Sequence, residues 1–322
     1  LKGLKGSIPA GALVVSIAVG AVPVIVDIDE SLTIDPGSVE AAITPRTKAI
    51  IPVHMNGLVC DMDRIMALAE KHDLFVIEDA CQCVGGYWTD GRRIGAIGDM
   101  GAYSFNFYKV ISCGEGGMFV TNNREAHVRG LIYHDGGAYF REHADDLGMS
   151  IFCGINLRVS EISAAMMRVQ LGRLEGIIAD LRRVRGLILK AVGEPNGLSS
   201  IPYNGGLESG TGATIGYRFE DEESAECFAG ALLEKKISTG IPINSGQHVY
   251  KNWEPVLSLN GSYCERTNAF QHPLNADHQP GYSRDMLPKT LDILRRTVLV
   301  PVNPDWTDDE ASSAAAAIVE AV

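Results

Sequence analysis

Short apolar runs and helical patterns alternate along the first part of the chain. Strands buried on both faces of a sheet are indicated at residues 22–26, 49–53 and 74–77. Apolar residues at helical spacing are found at 36–42, where Asp35 is a suitable N-cap, and at 62–72; the small apolar residues 12–20 indicate a helix or a packed segment. This alternation predicts an α/β fold with a mostly parallel central sheet flanked by helices.

The pattern changes beyond residue 160. Residues 161–190 form one long helical pattern, with apolar side chains recurring about every 3.6 residues. Arginines are expected on the opposite side of this helix, at Arg168, Arg173, Arg182, Arg183 and Arg185. A Gly-, Ser-, Asn- and Pro-rich connection at 193–212 leads to weaker signals, with strands at 214–219 and 238–243 and helices at 224–235 and 307–322. We predict a large domain over 1–190, which includes the linking helix, and a small α+β domain over 191–322.

Composition narrows the class of protein. With 322 residues, 46% hydrophobic and 21% charged, the chain can bury a large core. A net charge of −12 argues against nucleic acid as a partner, because phosphate binding needs a basic face. The N-terminal residues 1–11 contain no apolar run with the length of a membrane span or the form of a signal peptide. Seven irregularly spaced cysteines indicate reduced thiols in a cytoplasmic enzyme, and the lone Cys81-x-Cys83 pair predicts no metal site.

Lys109 is the first candidate for chemistry. It lies between the aromatic-rich residues 103–108 and the glycines of 114–117, so a strand and a tight turn would hold it on rigid backbone. Apolar neighbours can desolvate the amine and lower its pKa, which favours a Schiff base with a carbonyl cofactor. The alternative is a surface lysine at the end of a strand.

Asp79 is the second candidate, because it ends a buried strand at the edge where open α/β sheets bind ligands. If the cofactor is pyridoxal 5'-phosphate, a carboxylate beside the pyridine nitrogen keeps that nitrogen protonated. Gln82 could reach the hydroxyl oxygen of the cofactor ring or cover the face of the ring. The alternative for the carboxylates of Glu78 and Asp79 is that either one caps the next helix. His54 follows the strand at 49–53 and is a candidate for a substrate contact, with a hydrogen-bonded structural histidine as the alternative.

These stretches together resemble the DegT/DnrJ/EryC1/StrS family of sugar aminotransferases, which are fold-type I enzymes that depend on pyridoxal phosphate. The resemblance covers about residues 8–190 and is carried by the motifs at 78–82, 98–105, 109, 114–118 and 154–165. It implies that Lys109 binds the cofactor, that Asp79 holds its ring nitrogen, and that Ser104 donates to its phosphate. Asn156 would contact the phosphate across the interface of a homodimer with a shared active site. Arg158 would bind the carboxylate of the amino donor or support the start of a helix.

The resemblance also implies an activity. An amino group would move from L-glutamate or L-glutamine to a keto or aldehyde sugar, in biosynthesis of an amino sugar for cell-surface polysaccharide or lipopolysaccharide. Relatives that remove a sugar hydroxyl carry histidine where this chain has Lys109, so the lysine favours transamination. A cyclitol or an antibiotic-pathway sugar is an alternative acceptor, and a non-catalytic regulator that binds pyridoxal phosphate is an alternative class. A nicotinamide-dependent oxidoreductase is not favoured, because no strand is followed by Gly-x-Gly-x-x-Gly.

Two further regions bear on the site. The polar and aromatic loop 244–253 is suited to a sugar, with His248, Tyr250 and Trp253 as candidate contacts; aromatic anchors that pack domains together are the alternative.

The family has a Gly-Thr-type phosphate loop upstream of this sequence and an aromatic residue after the proline that is Pro9 here, where this chain has Ala10. We therefore expect the sequence to be part of a longer chain, and it predicts no aromatic stacking at Ala10.

Overall fold

The computed structural model describes residues 15–138, 148–193, 195, 197–277 and 280–322. The Pro9–Ala10 position and the beginning of the segment predicted at 12–20 lie outside the described residues. Among the residues that the structure describes, none of the helices combines the length and the hydropathy that a bilayer crossing requires.

A four-stranded sheet forms the first half of the structure. Its strands, in the order in which they pair, are β1 (Ala49–Ile50), β2 (Phe75–Asp79), β3 (Met100–Ser104) and β4 (Gly117–Thr121). The first three are parallel, and β4 is antiparallel to β3. The accompanying helices are α1 (Pro36–Ala42), α2 (Met62–His72) and α3 (Arg124–His134). This confirms the predicted α/β class with a mostly parallel sheet.

The local signals at the helix ends are confirmed, whereas two strand predictions are not. Asp35 caps α1 by accepting from the backbone N–H of Gly37 at 2.9 Å. No strand forms at 22–26, because Val22 and Ile25 pack their side chains against a cluster around Phe270 instead of pairing in the sheet. The strand predicted at 49–53 is regular only at Ala49–Ile50, since the proline at position 52 has no N–H to donate to a ladder.

The second half is built on an antiparallel sheet and one long helix. The sheet has the order β5 (Ser199–Ser200), β6 (Thr214–Arg218) and β7 (Thr297–Pro301). The helices are α4 (Glu161–Val192), α5 (Glu222–Glu234), α6 (Glu254–Leu257), α7 (Pro288–Arg295) and α8 (Asp308–Glu320). Thr307 begins α8 with a capping box that includes Glu310. The strand predicted at 238–243 is wrong: Gly240 makes a single bridge to Leu299, and a short 3-10 helix then begins at Pro242.

Helix α4 joins the two sheets through its residues from Leu174 onwards. Its residues Leu174, Ile178 and Leu181 are buried in one hydrophobic cluster with Phe105 near β3 and Ile318 of α8. The N-terminal half of the helix instead exposes apolar side chains, at Ile162, Met166, Val169 and Leu171. The predicted arginine face also needs a correction, because Arg185 lies among the buried residues with 3% exposure. The division into two domains at residue 190 stays a prediction.

The carboxylate of Glu78, next to Asp79 on β2, is fully buried. It accepts hydrogen bonds from several backbone N–H groups of the loop 94–98. Oε1 accepts from the backbone N–H groups of Ile97 at 2.6 Å and Gly98 at 2.7 Å. Oε2 accepts from the N–H of Gly95 at 2.7 Å and from Nε2 of His54 at 3.2 Å. Burial alone would raise the pKa of Glu78, but these donors, His54 first among them, hold the pKa below its ordinary value.

Glycines allow the backbone to approach this loop closely. A Cβ atom at Gly101 of β3 would overlap the carbonyl oxygen of Gly95, and one at Gly98 would lie 2.8 Å from the carbonyl oxygen of Val76. The hydroxyl of Tyr103 then fastens the same loop by donating to the carbonyl of Ile94 at 2.7 Å. The first loop after β2 is therefore fixed from both sides.

We expect Glu78→Gln to lower the free energy of unfolding by about 2–4 kcal/mol, because the amide places an N–H where Gly95 and His54 both donate. Urea denaturation measures this change. Glu40→Gln removes an exposed carboxylate paired with Lys71 and serves as the control, with an unchanged midpoint. An unchanged midpoint in Glu78→Gln would contradict the structural role given to this carboxylate.

The same carboxylate predicts a pH dependence. Its pKa in the folded protein lies below the ordinary value of 4.5, so the unfolded chain takes up the proton first as the pH falls. The stability that Glu78 contributes is complete above that value and is lost on further acidification. Denaturation midpoints measured across the acidic range should fall more steeply for the wild type than for Glu78→Gln.

Candidate active site

Lys109 lies in the turn that joins β3 to β4, as the sequence predicts. Its backbone N–H donates to the carbonyl of Asn106 at 3.1 Å, and the buried side chains of Phe105 and Ile111 anchor the turn on either side. The amine makes no hydrogen bond or ion pair with the described residues and is half-buried. Burial lowers the pKa of Lys109 below its ordinary value, and nearby Cys81 and Asp79 only partly oppose this effect.

Asp79 ends β2 beside this lysine. It lies opposite Ala102 in the parallel register, so β2 and β3 deliver Asp79 and the Lys109 turn to the same edge of the sheet. Its Oδ1 accepts from the backbone N–H of Cys81 at 3.1 Å. Burial, together with the Asp79 carboxylate, raises the pKa of the Cys81 thiol to about 12. The thiol of Cys81 therefore stays neutral near Lys109. The sequence did not single out Cys81 as a site residue, although it lies in the same motif as Asp79.

Gln82 and Ser104 lie close to this pair along the chain, Gln82 three residues after Asp79 and Ser104 five residues before Lys109. The side-chain oxygen of Gln82 accepts from the backbone N–H of Asn56 at 3.0 Å, which leaves the amide N–H groups of Gln82 for another acceptor. Ser104 is the last residue of β3, opposite Gly117 on β4. Its hydroxyl forms no hydrogen bond with the described residues, so it can donate to a ligand.

Asn156 and Arg158 are exposed and form a separate group with the buried Asp135. Oδ1 of Asn156 accepts from Nε of Arg158 at 3.1 Å, and Nη1 of Arg158 pairs with Asp135 at 3.1 Å. Asn156 also bridges to Asp135 through the backbone. Within one chain these side chains thus hold each other, and the predicted phosphate contact of Asn156 and donor contact of Arg158 stay predictions.

His54 does not reach a ligand site, and the prediction of a substrate contact is corrected. The residue is fully buried, and Nδ1 accepts from the backbone N–H of Cys60 at 3.2 Å while Nε2 faces Glu78. Because Nδ1 accepts, the ring proton lies on Nε2 and is donated to the carboxylate. The histidine therefore orients the strand end that carries Asp79, as its structural alternative proposed.

The predicted sugar loop is arranged around packing contacts. Tyr250 is 4% exposed, its hydroxyl accepts from the N–H of Leu287 at 2.9 Å, and its ring packs beside Leu291 of α7. This corrects the prediction of a sugar contact for Tyr250 and supports the alternative of an aromatic packing anchor. Trp253 packs partly against the same cluster. Substrate contacts of Trp253 and His248 stay predictions.

The arrangement suits a ligand with a carbonyl, a basic ring nitrogen and an anionic group. An amine with a lowered pKa can attack the carbonyl, the Asp79 carboxylate can hold a protonated ring nitrogen, and the Ser104 hydroxyl can donate to an anion. These groups and their spacing along β2 and β3 fit pyridoxal phosphate, the cofactor that the sequence predicts.

The sequence profile of the DegT/DnrJ/EryC1/StrS aminotransferase family matches residues 10–272, which is more than half of the chain. The chain belongs to this family. The resemblance to this family is therefore confirmed, and the match includes the part of the chain that contains Lys109 and Asp79. The individual roles of the site residues stay predictions.

Two curated relatives illustrate the range of the family. The spore coat polysaccharide biosynthesis protein SpsC of Bacillus subtilis is 31% identical over 324 aligned positions, covering 94% of this chain and 73% of that protein. The UDP-N-acetyl-3-dehydro-α-D-glucosamine 3-aminotransferase of Acidithiobacillus ferrooxidans is 44% identical over 174 positions, covering 52% of this chain and 44% of that protein. The chain spans about half the length of three of the curated relatives that it matches, at 53%, 44% and 44%.

A solved structure supports the fold over almost the whole chain. The aminotransferase from Psychrobacter cryohalolentis superimposes with a TM-score of 0.76 at 27% identity, covering 97% of this chain and 78% of that one. The predicted fold-type I architecture is thereby confirmed.

The lowered pKa of Lys109 predicts unusual reactivity. We expect competitive acetylation at a series of pH values, read by peptide mass spectrometry, to give Lys109 a lower titration midpoint than Lys289. The pKa of Lys289 is raised by its hydrogen bond to Asp35, so the two lysines serve as an internal pair. A midpoint for Lys109 at or above that of Lys289 would contradict the desolvation of its amine.

Proposed function

We propose that this chain carries the catalytic core of an aminotransferase that moves an amino group from L-glutamate or L-glutamine to the carbonyl of a sugar. The single observation that carries the proposal is the free, desolvated amine of Lys109 beside Asp79 in a chain of this family. A non-catalytic regulator would use the same amine to hold the cofactor, so turnover is what separates it from this proposal.

Pyridoxal phosphate, when bound, supplies the electron sink and carries the amino group between donor and acceptor. Lys109 would hold its carbonyl end, Asp79 its ring nitrogen, and Ser104 its phosphate. The amide N–H groups of Gln82 would face the ring, since its oxygen is already occupied by Asn56. Backbone hydrogen bonds at Asp79, to the carbonyl of Pro52 at 2.9 Å and from the N–H of His54 at 3.0 Å, fix the carboxylate before any ligand arrives.

Lys109 would also move the proton. Its Nζ would take the proton from the α-carbon of the amino donor, and in the second half-reaction it would return a proton to the corresponding carbon of the acceptor, so that one base serves both directions. Burial lowers the pKa of Lys109 and so favours the uncharged amine that accepts the proton, and the neutral Cys81 thiol beside it does not compete as a base.

The acceptor is a keto or aldehyde sugar in this proposal. The name of the relative from Acidithiobacillus ferrooxidans describes amino transfer to a nucleotide-linked keto sugar, and that of SpsC places it in polysaccharide biosynthesis. Both names support an amino sugar for the cell surface, while a keto cyclitol is the alternative acceptor to be assayed beside it. The reaction would take place in the cytoplasm, which is consistent with seven cysteines that are all free.

Absorption spectroscopy tests the donor half of the reaction. We expect the wild type with pyridoxal phosphate to show a visible band that L-glutamate removes, Lys109→Ala to lack the band, and Asp79→Asn to keep it while losing turnover by about 100-fold or more. Lys71→Ala is the matched lysine control on the surface. Full amino transfer by Lys109→Ala would refute the proposal, and a wild-type band that no amino donor changes would favour a regulator.

We further propose that the enzyme works as a homodimer with a shared active site. The surface around the site exposes large apolar side chains that a second copy would cover: Phe107, Tyr108, Ile155, Leu157, Ile162 and Val169. They lie on the turn that carries Lys109, on the segment that carries Asn156 and on the first turns of α4. An interface here would bring Asn156 of one chain towards Lys109 of the other.

A heterodimer tests the shared site. Chains carrying Lys109→Ala and Asn156→Ala are co-expressed with different tags and purified through both. If Asn156 acts across the interface, one of the two sites has both native residues, and the heterodimer regains roughly half of the wild-type activity. If Asn156 acts within its own chain, neither site is native and activity stays at the level of the single variants, which would overturn this arrangement. Light scattering measures the mass of the purified species and so tests whether it is a dimer.

A further inference from the structure

Arg185 is a charge inside the protein. It lies in the C-terminal half of α4 and is 3% exposed, among the buried residues that join the two sheets. Burial lowers the pKa of Arg185, yet an arginine stays protonated in a folded protein. A buried cation is costly unless it is paired, so its surroundings must compensate the charge.

The described residues offer this charge little compensation. The guanidinium donates one hydrogen bond, to the carbonyl oxygen of Leu207, and stands 5.4 Å above the ring of Tyr203. No carboxylate of the described residues lies within 4.0 Å, and Glu208, the acidic neighbour that acts on it, is exposed. Arg182 on the same helix adds a second positive charge nearby. Most of the five N–H donors of Arg185 therefore have no acceptor among the described residues.

Arg185 lines a cavity that contains a second donor. Tyr203 shares this lining, and its hydroxyl oxygen accepts from the N–H of Gly216 at 3.2 Å while its own hydrogen has no acceptor among the described residues. Burial raises the pKa of Tyr203, so the hydroxyl keeps that hydrogen. The other polar side chains of the lining, Ser31, Asn204 and Ser209, hydrogen-bond within the protein. The cavity is uncharged except for the guanidinium.

We propose that this cavity binds a small inorganic anion of the size of chloride, held by Arg185 and the Tyr203 hydroxyl. Its volume is about 10 Å³, room for a single small group, whereas pockets for organic ligands are commonly about 300–1,000 Å³, so a nucleotide or a sugar is too large. The anion supplies the missing negative charge and accepts the hydrogen bonds that the protein leaves unused.

The anion would stabilise the fold near the active site. Gly57 and Leu58 also line the cavity, and the preceding residue, Asn56, is hydrogen-bonded to Gln82. Filling the cavity thus braces the segment that positions Gln82, together with the connection into the second sheet around Asn204. The site is distinct from the Lys109 site, and its existence does not depend on the proposed activity.

Chloride dependence of the melting temperature is the first measurement. The protein is kept saturated with pyridoxal phosphate, so that chloride cannot act at the phosphate site, and sodium chloride is compared with sodium gluconate at equal ionic strength. We expect chloride to raise the melting temperature by about 2–4 °C. The increase should vanish in Arg185→Met and persist in Arg183→Met, which removes an exposed arginine of the same helix that pairs with Asp308.

Crystals soaked in bromide supply the second measurement and need no variant. Anomalous scattering should show a bromide beside the guanidinium of Arg185. Equal melting temperatures in chloride and gluconate, together with no bromide peak in the cavity, would overturn the proposal. A chloride effect that persists in a folded Arg185→Met protein would place the anion elsewhere and overturn it as well.

Discussion

The buried carboxylate of Glu78 is the constraint on which the candidate site depends. Three backbone N–H groups and His54 converge on two oxygen atoms in the core, so that a loop with little regular structure has one conformation. The neighbouring residue on the same strand, Asp79, points to the other face because side chains alternate along β2. The buried carboxylate of Glu78 and the candidate carboxylate of Asp79 are thus fixed by the same five-residue strand, and neither can shift without the other.

Sequence reasoning succeeded where the signal is local or where a motif is distinctive. The cap at Asp35 and the long helix α4 follow from spacing alone, and the turn that carries Lys109 follows from its glycines and aromatic residues. The strands predicted at 22–26 and 238–243 failed because an apolar run shows only that side chains are buried. Whether they are buried in a ladder or against another segment is decided by tertiary packing, which the run does not encode.

The site itself was predicted less evenly than the fold. Lys109, Asp79 and Ser104 lie at one sheet edge, because parallel strands bring their carboxyl ends together. His54 and Tyr250 each kept two interpretations, because polar atoms on a buried ring look the same in a sequence whether they bind a ligand or a backbone group. Helix α4 shows a similar limit: its apolar positions have one period throughout, yet one half is buried in the chain and the other half is exposed.

The glycines around the Glu78 loop have a consequence for comparing relatives. Gly98 and Gly101 are required by the distance between backbone segments, and neither contributes a group that could contact a substrate. Selection at these positions therefore acts through sterics, whatever the acceptor. A glycine shared at these two positions reflects how closely β3 approaches the loop. It therefore indicates a common fold and carries no information about substrate specificity. Divergence in acceptor choice must be sought at positions where the backbone leaves side chains free to vary.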